Sequence, residues 1–498
     1  MLGRTPNFGI FDDHDSFDLL KKIVKGMKEK PTFFAKTISA FKNLNNAQDS
    51  LKGSSEENDR VLSVFQKYEE ALGRNNAFDF DDLIQKPVAL FKKNPAILKK
   101  YQAKFDALLV DEYQDINPKQ YELVTLLAGE HKNLTVVGDD EQTIYSWRYA
   151  DIRTFLDFEK HWPEAKIHFL EENYRSTGTI IRAAAAVAEN NRYRTSKKLW
   201  TGNPDGDRIT FFEAWGENEE GEWIADEVKK IKMNSEDERT GILYRTNAQS
   251  RAIEQALIRH DIPYEIFGGL KFYERREIKD AVASLRWTSN KKDEVAKERL
   301  EKNLTKRKFT IFKDKMEITE DPKPLEVIKV FLAAFCYFDY LESNFINADE
   351  RQENIGELIN FASAFEHLPE FLEKISLLQS TDDAVKGDSH HALSASKVVL
   401  MTIHMAKGLE FDNVFIAGAA EGLLPHIRSI DNESSLEEER RLMYVAMTRA
   451  RKKLHISFYG MPSRFLAEIP GDCVALAEGS AGADIDTDTF EENVVTFD

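Results

Sequence analysis

The first hundred residues place apolar positions three and four residues apart, which is the spacing of one face of an α-helix. The pattern is clear in "FDLLKKIVKGM" and "VLSVFQKYEEAL". Beyond residue 104, short apolar runs end in polar clusters and alternate with stretches of helical spacing; the runs are "FDALLVDEY", "NLTVVGDDE" and "AKIHFLEENYRS". Repeated strand and helix predict a parallel α/β sheet with its polar residues at the carboxyl ends of the strands, where ligands bind in such sheets.

A second series of the same kind begins near Arg208. "RITFFEAW" and "RTGILYRT" predict strands, and "NAQSRAIEQALIRHD" predicts a helix. Residues 397–419 predict two strands split by a Lys-Gly turn, and "LEEERRLMYVAMTRARKKLHISFY" predicts a helix followed by a strand. The pattern of residues 280–395 is mostly helical. We therefore expect two α/β units, the second interrupted by a helical insertion.

The composition fits a soluble protein of several domains in a reducing compartment, which we expect to be the cytoplasm. At 498 residues the chain is too long for one core. No apolar run reaches about 18 residues, so no membrane span is predicted. The first residues lack the basic and apolar regions of a secretory signal. The two cysteines, Cys336 and Cys473, are far apart in sequence and suggest no disulfide or zinc framework.

Charge is unevenly distributed along the chain. The net charge of −18 argues against a protein that coats nucleic acid with its whole surface, but not against a local groove. Residues 21–42 contain seven lysines and one acid, and residues 85–104 contain six lysines and no acid. Each run alone is typical of a solvated helix face. Residues 465–498 contain nine acids and no Lys or Arg, and we expect residues 471–498 to form an acidic disordered tail.

Two acids, Asp111 and Glu112, directly follow the apolar run "ALLV". An acid at the end of a buried parallel strand can hold Mg²⁺, and a neighbouring Glu can orient an attacking water. Gln142 follows the next predicted strand and could sense a γ-phosphate or that water. The alternative is a pair of exposed acids at a strand end. Together the three residues favour a magnesium–nucleotide site.

Two aromatic residues and a cation follow Gln142 within four residues: Tyr145, Trp147 and Arg148. Aromatic rings beside a cation suit stacking on unpaired bases combined with a contact to the phosphate backbone. The alternative for Trp147 is a core residue. The segment therefore becomes a candidate for binding single-stranded nucleic acid.

Two arginines from separate segments, Arg175 and Arg449, suit a clamp on a γ-phosphate, because guanidinium groups stabilise the charge of a transferred phosphoryl group. We expect Arg449 on a helix. Each arginine alone is more typical of a surface salt bridge. Other polar residues of the same segments are Tyr174 beside Arg175, and His404, Lys407 and Glu410 around Gly408.

These segments occur in one order along the chain: "VDEYQD", "VVGDDEQTIYSWR", "ENYRST", "ILYRTNAQSRAIEQAL", "YEIFGGLKFYERREIKD", "TIHMAKGLEF" and "EEERRLMYVAMTRA". In this respect the sequence resembles superfamily 1 DNA helicases of the UvrD/PcrA/Rep type over nearly its whole length. The resemblance implies an α/β fold of the P-loop NTPase type, with two RecA-like parallel-sheet domains and helical insertions. ATP with Mg²⁺ would bind between the domains and single-stranded DNA across them. It also implies ATP-dependent 3′–5′ unwinding of duplex DNA, in repair or replication.

The resemblance further implies a role for each candidate residue. Asp111 would bind the magnesium ion, Glu112 would be the catalytic base and Gln142 would contact the γ-phosphate. The other nucleotide contacts would be Tyr174 on the adenine, Arg175 and Arg449 as arginine fingers, Glu410 on the ribose, and Lys407 with Gly408. The DNA contacts would be Phe80 of "FDFDDLI", Tyr145, Trp147, Arg148, Thr402 and His404.

We expect six segments from this comparison. They are a helical subdomain inserted in the first RecA-like domain (1–104), the remainder of that domain (105–195), the first part of the second domain (196–280), an inserted helical domain (281–395), the last part of the second domain (396–470) and the acidic tail (471–498).

Two departures from the family pattern stand out. The chain contains no G-x-x-x-x-G-K-[ST] sequence, so the loop that cradles phosphates is missing and the first RecA-like domain is expected to be N-terminally incomplete. "RYA" also puts Tyr149 where the family usually has a small residue. Three explanations remain open: a truncated product of a working helicase, half of a split helicase completed by a separate N-terminal polypeptide, or a non-hydrolysing protein that binds single-stranded DNA or regulates. The other motifs favour the first two.

Overall fold

A computed structural model describes residues 2–45, 56–235, 237–319, 321–383 and 398–478. The strands are β1 (Gly9–Phe11), β2 (Ala77–Asp79), β3 (Leu108–Val110), β4 (Leu134–Val136), β5 (Ile209–Ala214), β6 (Thr240–Tyr244), β7 (Glu265–Ile266), β8 (Val398–Thr402), β9 (Phe411–Ile416), β10 (Ala450–Tyr459) and β11 (Val474–Leu476). The helices are α1 (Asp13–Ile23), α2 (Pro31–Asn43), α3 (Glu56–Arg74), α4 (Asp82–Lys93), α5 (Pro95–Gln102), α6 (Pro118–Ala128), α7 (Ile152–Leu156), α8 (Phe158–His161), α9 (Gly178–Glu189), α10 (Glu217–Asn234), α11 (Ser250–Arg259), α12 (Arg276–Ser289), α13 (Glu294–Leu304), α14 (Lys306–Glu317), α15 (Pro324–Phe335), α16 (Tyr337–Asn344), α17 (Ala348–Ser363), α18 (Leu368–Asp383), α19 (Ile403–Ala406) and α20 (Glu433–Met447).

The chain folds as two compact units. The first comprises Met1–Lys166, Tyr193–Thr195 and Cys336–Asp349, and the second comprises Ile167–Arg192, Ser196–Phe335 and Glu350–Asp498. The boundary near residue 166 differs from the expected domain end at residue 195. Helix α9 therefore belongs to the second unit, and α16 from the inserted region belongs to the first.

A seven-stranded parallel sheet forms the centre of the second unit, in the order β11-β5-β10-β9-β6-β8-β7. All five residues of β6 are buried, as expected for a parallel strand covered on both faces. Helices α10 and α11 pack on this sheet through a core that includes Ile224, Val228, Ile253, Leu257 and Phe415. The predicted strands and helices of the second α/β series are confirmed, and the insertion is helical from α12 to α18.

Two small parallel sheets, β1-β2 and β3-β4, lie in the first unit. Helices α1, α2 and α3 enclose a core that includes Leu20, Phe34, Ile38 and Val64. The predicted α/β fold class is confirmed by these parallel sheets and the helices between their strands. In the described part of the chain, none of the helices has the length and apolar content of a membrane span.

Three sequence-based expectations differ from the structure. "AKIHFLEENYRS" forms no strand at residues 167–170, which pair with no neighbouring strand, and Leu170 is 85% exposed. Arg449 is not on a helix, because α20 ends at Met447 and β10 starts at Ala450. Part of the expected acidic tail is ordered, since Val474–Leu476 pairs with β5 at the edge of the sheet. Residues 479–498 of that tail lie outside the described residues.

Candidate functional site

Asp111 and Glu112 lie at the carboxyl end of β3, where the sequence pattern put them. Both are exposed. Glu112 has a left-handed backbone with φ of 50°, and its N–H donates to Asp111 Oδ1 at 2.9 Å. The left-handed turn at Glu112 ends the extended backbone of β3, and the next residue, Tyr113, is buried.

A hydrogen-bond network joins Glu112 to Gln142 through two residues that the sequence did not single out, Gln114 and Asp139. Gln114 is 1% exposed, and its Nε2 donates to Glu112 Oε2 at 2.6 Å. Its Oε1 accepts from the backbone N–H of Asp139 at 3.1 Å. Asp139 Oδ2 in turn accepts from Gln142 Nε2 at 2.7 Å. The polar ends of β3 and β4 therefore form one connected group.

Gly138 makes this network possible by its lack of a side chain. A Cβ atom there would lie 2.5 Å from Gln114 Oε1 and 2.7 Å from the Phe155 ring. The buried amide of Gln114 can approach the chain after β4 only because residue 138 is glycine. Within "VVGDDEQ", Gly138 therefore has a structural role, whereas Asp139 and Gln142 supply polar groups to the network.

Trp147 and Arg148 form an exposed cation–aromatic pair on a single 3₁₀ turn. The Arg148 guanidinium lies 4.6 Å from the Trp147 ring centroid and 5.6 Å from that of Tyr145. The Tyr145 and Trp147 rings meet edge to face at 6.1 Å. Trp147 is 60% exposed, which rules out the alternative that it is a core residue.

Phe80, which is 52% exposed, lies between two buried acids in the same unit. Asp79 Oδ1 accepts from the N–H of Asp82 at 2.9 Å, and this bond caps the start of α4. Lys42 Nζ lies 2.7 Å from Asp79 Oδ2 and 2.9 Å from Asp82 Oδ1. Although burial opposes it, the carboxylates of Asp79, Asp82 and Glu69 raise the pKa of Lys42. A buried cation therefore holds the turn from which Phe80 projects.

In the second unit, Arg175 bonds to the segment that carries Glu410 and to the end of α20. Its Nε donates to Glu410 Oε2 at 2.8 Å, and its Nη1 donates to the carbonyl of Thr448 at 3.1 Å. The hydrogen bond from Arg175 holds the pKa of the Glu410 carboxyl below its usual range. Tyr174, beside it, is 77% exposed and donates to Glu172 Oε2 at 2.6 Å.

Arg449 is almost fully buried. Its Nε donates to the carbonyl of Val445 at 3.0 Å, its Nη1 to the carbonyl of Leu409 at 3.2 Å, and its Nη2 to Thr448 Oγ1 at 3.2 Å. Arg175 and Arg449 thus both contact Thr448, and both reach the Leu409–Glu410 segment. The structure brings these two sequence-predicted residues together with Glu410, and adds Thr448 as their shared neighbour.

The remaining predicted residues follow β8 in the same unit. Thr402 ends the strand and pairs with Tyr244. Burial and the nearby Arg245 cation lower the pKa of His404 to about 3, so the ring is neutral at physiological pH. Lys407 leads into Gly408, whose φ of 82° favours glycine at the turn before β9.

The candidate residues therefore form two groups, each within one unit. The first unit holds Asp111, Glu112, Gln142, Phe80, Tyr145, Trp147 and Arg148. The second unit holds Tyr174, Arg175, Thr402, His404, Lys407, Gly408, Glu410 and Arg449.

The protein-family models that match this chain divide it at nearly the same place as the first boundary between the two compact units. Residues 1–163 match the UvrD/REP helicase N-terminal domain, and residues 168–321 and 314–460 match the UvrD-like helicase C-terminal domain. The chain is 38% identical to the ATP-dependent DNA helicase PcrA of Staphylococcus aureus, over 94% of this chain and 73% of the relative. It is 37% identical to PcrA of Staphylococcus epidermidis, over 95% and 73%.

A solved C-terminal domain of a possible DNA helicase from Lactobacillus plantarum matches 61% of this chain and 98% of that domain, at 13% identity and a TM-score of 0.28. That likeness is too low to carry an argument. The two family domains and the identity to PcrA are sufficient without it: the chain belongs to the UvrD/PcrA family of superfamily 1 helicases.

Proposed function

We propose that this chain works as an ATP-dependent 3′–5′ DNA helicase, which moves along single strands and unwinds duplex DNA in repair or replication. The observation that carries the proposal is the network from Glu112 through Gln114 and Asp139 to Gln142. Hydrolysis of ATP needs a base for the attacking water and a group that senses the γ-phosphate. A buried amide that links these two candidates supports a hydrolytic site over two unrelated polar residues.

Glu112 would accept the proton of the attacking water, and Gln142 would orient that water. Asp111 fits Mg²⁺, because an exposed carboxylate at a strand end supplies a hard oxygen ligand and Mg²⁺ is usually held by one or two carboxylates with substrate phosphates. When bound, the ion would neutralise charge on the phosphate oxygens. Tyr174 would stack on the adenine, and Glu410, Lys407 and Gly408 would meet the ribose side.

Arg175 and Arg449 would stabilise the charge that develops on the transferred phosphoryl group. Their shared contacts with Thr448 and with the Leu409–Glu410 segment support this pairing, since one movement of that segment would reposition both guanidinium groups. The Arg175–Glu410 ion pair would have to loosen for Arg175 to reach a phosphate. The arginines would therefore respond to nucleotide and to the position of Glu410 together.

The DNA strand would contact Phe80, Tyr145, Trp147 and Arg148 in the first unit and Thr402 and His404 in the second. Exposed aromatic faces supply stacking that tolerates any base, and Arg148 supplies a phosphate contact. Neutral His404 would act as a hydrogen-bonding group and not as a cation.

A second candidate function is binding of single-stranded DNA without hydrolysis. It is favoured by one observation, the absence of a G-x-x-x-x-G-K-[ST] loop from the 498 residues. Backbone N–H groups of such a loop supply much of the grip on the phosphates. Binding of a DNA strand does not need that grip, whereas turnover of ATP does.

The decisive experiment measures ATP hydrolysis by the full chain with and without single-stranded DNA, with Glu112→Gln as the matched control. Stimulated hydrolysis above the control supports the helicase. Hydrolysis equal to the control, with DNA binding retained, supports the second candidate. Adding a polypeptide that carries the phosphate loop tests the split arrangement. Displacement of streptavidin from a 5′-biotinylated but not a 3′-biotinylated strand would support 3′–5′ movement.

A further inference from the structure

Tyr149 directly follows the Trp147–Arg148 pair and has a left-handed backbone, with φ of 67°. Bulky residues with a Cβ are rare in that conformation, and they persist there only where the surroundings hold them. A small residue would be easier to accommodate at this position. The tyrosine side chain therefore needs an explanation beyond the turn itself.

The phenol of Tyr149 reaches helix α2. Its hydroxyl donates to the backbone carbonyl of Lys36 at 3.2 Å. Burial raises the pKa of the Tyr149 phenol, a hydrogen bond with Ser39 opposes the rise, and the Asp81 carboxylate adds to it. The end of the side chain thus lies among Lys36, Ser39 and Asp81.

The same part of α2 holds the turn that carries Phe80. Burial raises the pKa of Asp81, the residue after Phe80, and hydrogen bonds with Asn43 and Ser39 oppose that rise. Asn43 Nδ2 donates to the carbonyl of Ser39 at 3.0 Å, which fixes this end of the helix. On the same helix, Lys42 Nζ lies 2.7 Å from Asp79 Oδ2 and 2.9 Å from Asp82 Oδ1, so Tyr149 and the turn that carries Phe80 are both attached to α2.

We infer that Tyr149 is a positioning residue, which ties the Trp147–Arg148 loop to α2 and so holds the exposed faces of Trp147 and Phe80 in a fixed relation. The inference rests on the proposed function, in which both rings stack on bases of one DNA strand. A single 3₁₀ turn exposed to solvent would otherwise lose freedom when DNA binds, and that loss would weaken binding. Because the Tyr149 hydrogen bond already restricts the loop before DNA binds, less conformational freedom is lost on binding.

The first test reads the position of Trp147 without DNA. The full chain has six tryptophans, so it can be labelled with 5-fluorotryptophan and the Trp147 resonance identified by its loss in Trp147→Phe. Tyr149→Phe keeps the ring and removes only the hydroxyl. We expect it to shift or broaden the Trp147 fluorine resonance and to leave unchanged those of the four tryptophans of the second unit, Trp200, Trp215, Trp223 and Trp287. An unchanged Trp147 resonance would overturn the inference.

The second test measures affinity for a fluorescein-labelled oligothymidine of about 20 nucleotides, by fluorescence anisotropy. Tyr149→Phe should weaken binding roughly threefold to tenfold, the range of one net hydrogen bond. In a Trp147→Ala background the same substitution should have no further effect. Equal weakening in both backgrounds would overturn the positioning role.

Failure of the proposed function gives a different result. If Trp147→Ala leaves DNA affinity unchanged, Trp147 has no DNA role, while the fluorine resonance still decides whether Tyr149 positions the loop. Tyr149→Gly is the second variant, because glycine accepts a φ of 67° without strain. It should remain folded by thermal denaturation and show the same displaced Trp147 resonance and weaker DNA binding. A normal resonance in Tyr149→Gly would count against the inference.

Discussion

The buried amide of Gln114 connects side chains that lie at the ends of β3 and β4. Asp111, Glu112 and Gln142 follow apolar runs, and the ends of parallel strands converge. Gln114 gave no such signal. Its role depends on the left-handed turn at Glu112 and on the space left by Gly138, and both are properties of the folded backbone.

Gln114→Leu should destabilise the first unit by about 1–3 kcal/mol, because the Asp139 N–H loses its acceptor and the Glu112 carboxylate loses its donor. Urea unfolding followed by circular dichroism measures the change. Gln66→Leu is the matched control, since Gln66 is exposed and bonds to Glu70 on the surface of α3. Equal effects of the two substitutions would show that the network contributes nothing to stability.

The environment of Lys42 on helix α2 does not follow from the pattern of charges along that helix. The lysine run 21–42 has the pattern of a solvated helix face, yet Lys42 at its end is 1% exposed and ion-paired to three carboxylates. The partners come from α3, β2 and α4, which a pattern along one helix does not reveal. The strand predicted at residues 167–170 is absent for a similar reason, because a strand requires a hydrogen-bonded neighbouring strand as well as an apolar run.

Lys42→Met should cost about 3–5 kcal/mol, since Asp79 and Asp82 stay buried and lose the Lys42 cation, although Lys86 Nζ still lies 3.5 Å from Asp82 Oδ1. Lys36→Met, on the same helix, is the control. Its side chain is 70% exposed and lies 3.8 Å from Asp349, so the change should stay within about 0.5 kcal/mol. Thermal denaturation of the two variants compares them directly, and a Lys42 variant as stable as the control would contradict the assigned role.

Strand β10 should make the second unit sensitive to acid. His455 stacks on Phe415 at 4.4 Å, and burial, with Lys453 nearby, lowers its pKa from 6.5 to about 4. Between these pH values the unfolded chain binds more protons than the folded chain, so stability is complete above pH 6.5 and falls as the pH drops towards 4. At pH 5 the loss is about 2 kcal/mol.

Urea unfolding at pH 7 and pH 5 measures this loss, and His455→Phe should remove the share that comes from His455. His404, with a pKa of about 3, would still contribute in the variant. An unchanged pH dependence in His455→Phe would show that the buried imidazole is not the source.

The limits of the two compact units do not coincide with those of the two α/β series along the chain. Two runs of strand–helix alternation indicated two units. The chain crosses between the units near residue 166, twice within residues 192–196, and again near 336 and 350. These crossings depend on which surface each segment packs against, and neither composition nor periodicity marks them.

The two units have separate cores, one around Phe34 and Val64 and the other around Ile224 and Phe415. We therefore expect two calorimetric transitions, because a chain with separate cores need not unfold in a single step. Lys42→Met should lower the temperature of one transition only. Acidification from pH 7 to pH 5 should lower the transition that Lys42→Met leaves unchanged, and His455→Phe should reduce that shift. One transition that moves with both perturbations would mean that the two cores unfold as a single cooperative body, and the stability changes above would then belong to the whole chain.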